Sequence, residues 1–241
     1  MKISERFFRT KLLLGEDKLA KICNLRIAVV GLGAVGSSIL EFLLRLGVKN
    51  LLLVDDDIVS ITDINRNLLA NEENIGILKV EAARDLALSL NPEVCITSYP
   101  VSVGQNVDIS FLREVDFVFD AIDGLNGKAV LIDFLLKNNI PFIVAGSCSG
   151  SISTEARVEN IWEVRGDNLI RRLKALLRRR QLGGSFIPVA RIIGRFMART
   201  DIISRAAVAG RERKVIGSWV LSSAVVAVKM VEYFVWNSSK Q

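Results

Sequence analysis

Between residue 25 and about residue 145 the chain alternates short apolar or β-branched runs with longer amphipathic stretches, the rhythm of successive strand–helix–strand units. The runs RIAVV (26–30), NLLLVD (50–55), VCITSYP (94–100), DFVFDAI (116–122) and PFIVAG (141–146) predict strands. Residues 34–46, 76–90 and 124–137 predict helices between them, with a shorter one near 109–114. The expected fold is α/β, a Rossmann-type, doubly wound, mostly parallel sheet with a C-terminal strand and helix extension.

After Gly150 the rhythm changes. SISTEARVE (151–159) predicts a further strand, and residues 167–180 a helix with Leu169, Ile170, Leu173, Leu176 and Leu177 on one face. The other face is Arg171, Arg172, Lys174, Arg178 and Arg179. The paired glycines 183 and 184 and seven further basic residues predict an irregular crossing loop over 183–214. Residues 215–228 carry no charge, but 14 positions fall short of the roughly 20 a membrane span needs, so a buried helix reaching residue 236 is expected. The chain is therefore expected to form one domain over 1–241, with a core at 25–150, a basic helix and crossing loop at 165–214, and a buried last helix at 215–236.

Charge sharpens the picture. The formal net charge is +6, but residues 165–214 hold 14 Lys and Arg against 3 Asp and Glu, leaving 18 against 23 elsewhere. A mildly acidic body with a basic strip points to a polyanionic partner. Three scattered cysteines and no histidine exclude a disulfide framework and a Cys/His zinc site, and a reducing cytoplasm is the expected compartment. The first 21 residues alternate charged with apolar residues and lack the unbroken apolar run of a signal peptide.

The candidate chemistry begins at G-L-G-A-V-G, where Gly31, Gly33 and Gly36 follow a predicted strand and open a predicted helix. Glycines there let the backbone turn sharply and lie against a phosphate or ribose at a positive helix end. Asp55 closes the next strand, placed to accept from ribose hydroxyls. These residues point to an adenine nucleotide without choosing between NAD and ATP. The residues beyond Asp55 favour ATP: Arg66 and Lys79 as fixed cations for a triphosphate, Asn65 beside them, and Asp57 with Asp123 as carboxylates for a magnesium ion. An ionised carboxylate attacking the α-phosphate needs no general base, so the absence of histidine is no obstacle.

GLGAVGS, LLLVDDDIVSITDINRN, NIGILKVEAARDLALSLNP and DFVFDAIDG, in that order and spacing, resemble the ThiF/MoeB/HesA-type, ubiquitin-activating-like adenylyltransferases. RFFRTKLLLGEDKLAK, DAIDGLNGKAVLIDFLLKNNIPFIVAG and DNLIRRLKALLRRR are most similar, within that superfamily, to the tRNA threonylcarbamoyladenosine dehydratases. The resemblance implies an ATP-dependent ligase acting on modified tRNA, with magnesium, and a homodimer. It places Gly31, Gly33 and Ala34 against the nucleotide, Asp55 on the ribose, Arg66 and Lys79 on the phosphates, and Asp123 on magnesium and the α-phosphate. Arg9, in R-F-F-R beginning at Arg6, resembles an arginine that reaches a neighbouring subunit's ATP.

Two positions depart from the superfamily pattern: Asp63 stands where asparagine is usual and Asn67 where glutamine is usual. Asp63 is expected either to join the magnesium site or to weaken ATP binding. Cys148 has no histidine to activate it and is expected to be structural, Cys23 and Cys95 to be core residues, Lys128 a surface lysine, and Trp162, Trp219 and Trp236 structural. Two other readings stay open: activation of a small ubiquitin-like sulfur carrier, with a sulfur-donor partner, and a nucleotide-binding scaffold without turnover.

Overall fold

The computed structural model describes residues 4–194, 203–208 and 211–238. Two short helices, α1 (Phe8–Leu14) and α2 (Glu16–Asn24), lead into a seven-stranded sheet. Its strands are β1 (Arg26–Val30), β2 (Asn50–Val54), β3 (Cys95–Tyr99), β4 (Phe117–Asp120), β5 (Phe142–Ala145), β6 (Ala156–Asn160) and β7 (Pro188–Ile192), in the order β3-β2-β1-β4-β5-β7-β6. All neighbours are parallel except β6, which closes the edge antiparallel to β7.

Period-two alternation explains the two layers. Ile27, Val29, Leu51, Leu53, Phe117, Phe119 and Ile143 point to one face, packed under α3 (Ala34–Leu46), α4 (Lys79–Leu90) and α7 (Val220–Asn237). Ala28, Val30, Leu52, Val54, Val118 and Val144 point to the other, under α5 (Leu125–Lys137) and α6 (Asn168–Arg179). Each fully buried leucine, isoleucine or phenylalanine in these layers contributes on the order of 1.5–3 kcal/mol. On the first face Phe234 of α7 lies 5.0 Å from Phe117 and 5.5 Å from Phe119, ring centre to ring centre. By length and composition α7 is apolar enough to cross a membrane; its Val226, Ala227, Met230 and Phe234 lie wholly in the core, while Leu221, Val228 and Trp236 are exposed, so the helix is buried along one face and not throughout.

The region expected to be an irregular loop is more ordered than predicted. Its residues 188–192 form β7, buried throughout and inserted between β5 and β6. Proline opens the strand, where a missing N–H is tolerated, and Arg191 inside it reaches Glu159 on β6 at 2.8 Å. Farther on, β8 (Ile203–Val208) and β9 (Arg211–Ile216) form an antiparallel hairpin separate from the sheet, so residues 215 and 216 end a strand, and α7 begins at Val220. The remainder of that predicted loop, 195–202 with 209–210, lies outside the described residues. The strand expected over 151–159 is confined to 156–160, and the helix expected from residue 76 starts at Lys79. Cys23 is buried as expected, whereas Cys95 is exposed on β3.

Candidate functional site

Register puts the chemistry on one level. Val30 pairs with both Val54 and Asp120, so β1, β2 and β4 end side by side and release the glycine loop, the acidic loop and the Asp123 loop together. From β1 the chain winds out to β2 and β3 and then returns to β4 on the other side. That reversal leaves a crevice beyond the strand ends, where ligands bind in open α/β sheets.

Three glycines have three different reasons. At Gly31 φ is +92°, and an added Cβ would lie 2.7 Å from the carbonyl carbon and oxygen of Ala121. At Gly36 it would strike the carbonyl oxygen of Gly31. At Gly33 it would meet no protein atom within 4 Å, so the missing side chain leaves room facing open space. Gly33 is the N-cap of α3, with no side-chain cap and no acidic residue in the first turn; Ala34 is that turn's first residue. The helix therefore presents uncapped N–H groups and a positive end to an anion.

Asp55 braces this loop from the neighbouring strand. Its Oδ2 accepts from the Leu32 N–H at 2.5 Å and its Oδ1 from the Asp57 N–H at 2.8 Å. Burial raises its pKa above the ordinary value; Lys79 and the two N–H groups act in the opposite direction. Lys79, buried at the start of α4, places Nζ 3.0 Å from Asp57 Oδ2, while its N–H donates to the Asp57 carbonyl at 2.9 Å. Asp55, Asp56 and Asp57 bring carboxylate oxygens within 4.8 Å of one another. Asp123 is exposed on the loop after β4, outside that group.

Arg66 sits on the turn that follows a short 3-10 helix (Ile61–Asp63), its guanidinium donating to the Thr62 carbonyl, to Asn65 Oδ1 at 3.0 Å and to Asp63 Oδ1 at 3.2 Å. Asn65 in turn donates to the Ser218 carbonyl at 3.0 Å, linking this turn to the segment before α7. Asp63 is buried, and its Oδ2 caps the turn by accepting from Ser60 N–H at 3.1 Å and Ser60 Oγ at 3.0 Å. Both its oxygens therefore have protein partners, one of them the cation expected to serve phosphate. Asn67, also buried, donates to the Leu32 carbonyl at 2.9 Å and accepts from the Leu69 N–H at 3.0 Å.

Lys128 is not a surface lysine. It is 1% exposed, and Nζ lies 3.0 Å from Oδ1 of the fully buried Asp120. The signal was present in the helical period, which puts Lys128 on one stripe with Leu131, Ile132 and Leu135, all fully buried. Cys148 Sγ lies 3.9 Å from Ser223 Oγ, and burial raises its pKa, which keeps the thiol protonated and fits a structural role.

On α6, Arg171, Arg172, Arg178 and Arg179 are exposed. Lys174 instead turns back to the Trp162 and Val164 carbonyls, at 3.1 and 2.6 Å. It caps the preceding turn, and desolvation, with Arg178 nearby, lowers its pKa. The N-cap Asp167 accepts from Ser147 Oγ at 2.8 Å, two residues beyond the end of β5. This tie places the start of the basic helix at the same edge of the sheet as the crevice. Arg9 is exposed on α1, and Arg6 reaches Asn91 at 3.5 Å.

Known proteins share this design. The ThiF family model matches residues 8–198. A curated relative from Escherichia coli strain K12, tRNA threonylcarbamoyladenosine dehydratase, is 33% identical over 180 residues, covering 72% of this chain and 66% of the relative. The enzyme of that name from Bacillus subtilis strain 168 is 31% identical, covering 72% and 69%. The solved structure of the E. coli enzyme, TcdA, in complex with AMP is 26% identical, covers 100% of this chain and 98% of that one, and superposes with a TM-score of 0.87. The same protein has been solved in complex with ATP, also at a TM-score of 0.87. With the family model matching residues 8–198, most of its length, this chain belongs to the ThiF family.

Proposed function

We propose that this chain activates a carboxylate with ATP, and that the carboxylate belongs to the threonylcarbamoyl group of a modified adenosine in tRNA. The observation that carries the reading is the crevice itself: an uncapped helix end beside the open position at Gly33, flanked by Asp55, Lys79 and Arg66. The bound carboxylate oxygen attacks the α-phosphorus, the bond to the bridging oxygen breaks, and pyrophosphate leaves as an acyl-adenylate forms. Arg66 and Lys79 counter the charge gathering on the pyrophosphate, and the N–H groups at the start of α3 receive the phosphate oxygens. An atom of the same modification then closes on the acyl carbon and releases AMP, for a net loss of water.

Magnesium fits the clustered Asp55, Asp56 and Asp57 carboxylates, which are hard oxygen ligands, and it would supply charge neutralisation at the phosphates; Asp123, outside that cluster, would have to approach the ion from the loop after β4. Asp57 would have to share its carboxylate with Lys79. The tRNA backbone fits the exposed Arg171, Arg172, Arg178 and Arg179, which begin at the crevice edge. A homodimer is supported by α1, whose Phe8, Leu12 and Leu13 are 56, 70 and 83% exposed; a second copy would cover them and bring Arg9 toward the neighbouring site.

Pyrophosphate exchange into ATP tests the reading. Exchange stimulated by threonylcarbamoyl-modified tRNA is the expected result. Strict dependence on a ubiquitin-like carrier protein would replace tRNA by that carrier, and ATP binding without exchange under any addition would leave a scaffold.

A further inference from the structure

The pair formed by Asp120 and Lys128 is costly and poorly suited to stability alone. Both side chains are buried, at 0 and 1% exposure, and Asp120 Oδ2 has no hydrogen-bond partner among the described residues. Buried ion pairs can often be replaced by apolar residues of similar volume without loss of stability, so packing gives no reason to keep one here.

Geometry supplies another reason. Lys128 Nζ holds Asp120 Oδ1 at 3.0 Å and also reaches the Asp120 backbone carbonyl at 3.4 Å. The same Oδ1 accepts from the Ile122 N–H at 3.0 Å, which folds the chain into a turn as it leaves β4. Ala121 and Ile122, inside that turn, are the backbone against which Gly31 is pressed, and the next residue is Asp123. The Ala121 N–H is itself bonded to the Val30 carbonyl at 2.8 Å, so the turn and the glycine loop are joined on both sides.

We infer that Asp120 and Lys128 are positioning residues for adenylation: their buried clamp sets the turn that walls the glycine loop and presents Asp123 to the nucleotide. This rests on the adenylation reading above. Neither residue touches the reacting atoms; each acts through the backbone of residues 121–123. Displacement of a positioned group by about 1 Å can cost about a hundredfold in rate, so a loosened turn would be visible in turnover before it is visible in binding.

Two neutral double variants separate positioning from folding. In Asp120→Leu/Lys128→Met the pair becomes apolar and nothing accepts from the Ile122 N–H. In Asp120→Asn/Lys128→Met the amide oxygen still can. Melting temperature, ATP dissociation constant and tRNA-stimulated pyrophosphate exchange are measured for both and for the wild type. Expected are two folded proteins that bind ATP within about threefold of wild type. The Leu/Met protein should lose about thirtyfold or more in maximal exchange rate with little change in KM, and the Asn/Met protein should recover a clear part of that loss. Equal rates in all three proteins, or a rate loss matched by the fall in melting temperature and not relieved by asparagine, overturn the inference. A wild type that binds ATP and exchanges no pyrophosphate overturns the adenylation reading and the inference with it.

Discussion

The Asn67 side-chain amide reaches the backbone carbonyl of Leu32 at 2.9 Å, tying the loop after β2 to the glycine loop 35 positions earlier. Both residues are buried, and the Asn67 oxygen is engaged as well, by the Leu69 N–H. A shorter side chain would strand the Leu32 carbonyl in the interior. Asn67→Ala is expected to cost about 1–3 kcal/mol of stability, read in denaturant unfolding, and to weaken ATP binding through the displaced loop. An unchanged unfolding midpoint would contradict this.

The glycines of the loop should separate cleanly. Gly31→Ala forces a Cβ against Ala121 at a positive φ and is expected to lower stability by about 2 kcal/mol or more. Gly33→Ala meets no protein atom, so its unfolding free energy should stay within about 0.5 kcal/mol of wild type while ATP affinity drops. Calorimetric titration with ATP on the two folded proteins decides whether the space at Gly33 is the nucleotide's.

Asp63 pairs with Arg66 at 3.2 Å, and under the proposed function it would compete with phosphate for that guanidinium. With Asn in its place the Ser60 cap keeps an acceptor and the guanidinium loses a counter-charge. Asp63→Asn is expected to tighten ATP binding by about fivefold, equivalent to about 1 kcal/mol. Weaker binding that responds to magnesium concentration would instead make Asp63 a metal ligand.

Acidity gives a further check through Asp55. Its folded pKa is raised above the unfolded value of 3.8. Between those two values the native state holds more protons than the unfolded chain, so this group's contribution to stability declines as pH rises through that window. The stability of wild type relative to Asp55→Asn should therefore fall as pH rises above the unfolded value of 3.8. Urea unfolding of both proteins across that range measures it; a relative stability that climbs with pH would reverse the assignment of burial as the main cause.

On α6, neighbouring cations should behave differently. Replacing Arg171 or Arg172 by alanine is expected to reduce the slope of log affinity for tRNA against log salt by about 1 per residue, with little change in folding. Lys174→Ala removes the donor to the Trp162 and Val164 carbonyls, and should instead cost about 1–2 kcal/mol of stability with the salt slope unchanged. A steep loss of salt dependence at Lys174 would place it on the RNA face after all.

The order of strands and helices through residue 145, the two-faced sheet and the glycine loop between β1 and α3 are all legible in the sequence, because each depends on spacing within a dozen neighbouring positions. A period of two or 3.6 says which side of an element is apolar, and a glycine run between strand and helix says where the backbone must turn. β7 is different: flanked by paired glycines, opened by Pro188 and interrupted by Arg191, it looks like loop until β6 supplies Glu159 across the ladder. The apolar stripe of Lys128 and the departure at Asp63 are visible in the sequence, but the partners of Lys128, Asp63 and Lys174, which are Asp120, Arg66 and two backbone carbonyls, appear only in the folded chain. Local pattern records which groups avoid water. Which buried or half-buried charge finds which partner is decided by the path of the folded backbone, across 32 positions for Arg191 and Glu159 and across only eight for Lys128 and Asp120, since a charge leaves water only where the fold has placed its counterpart.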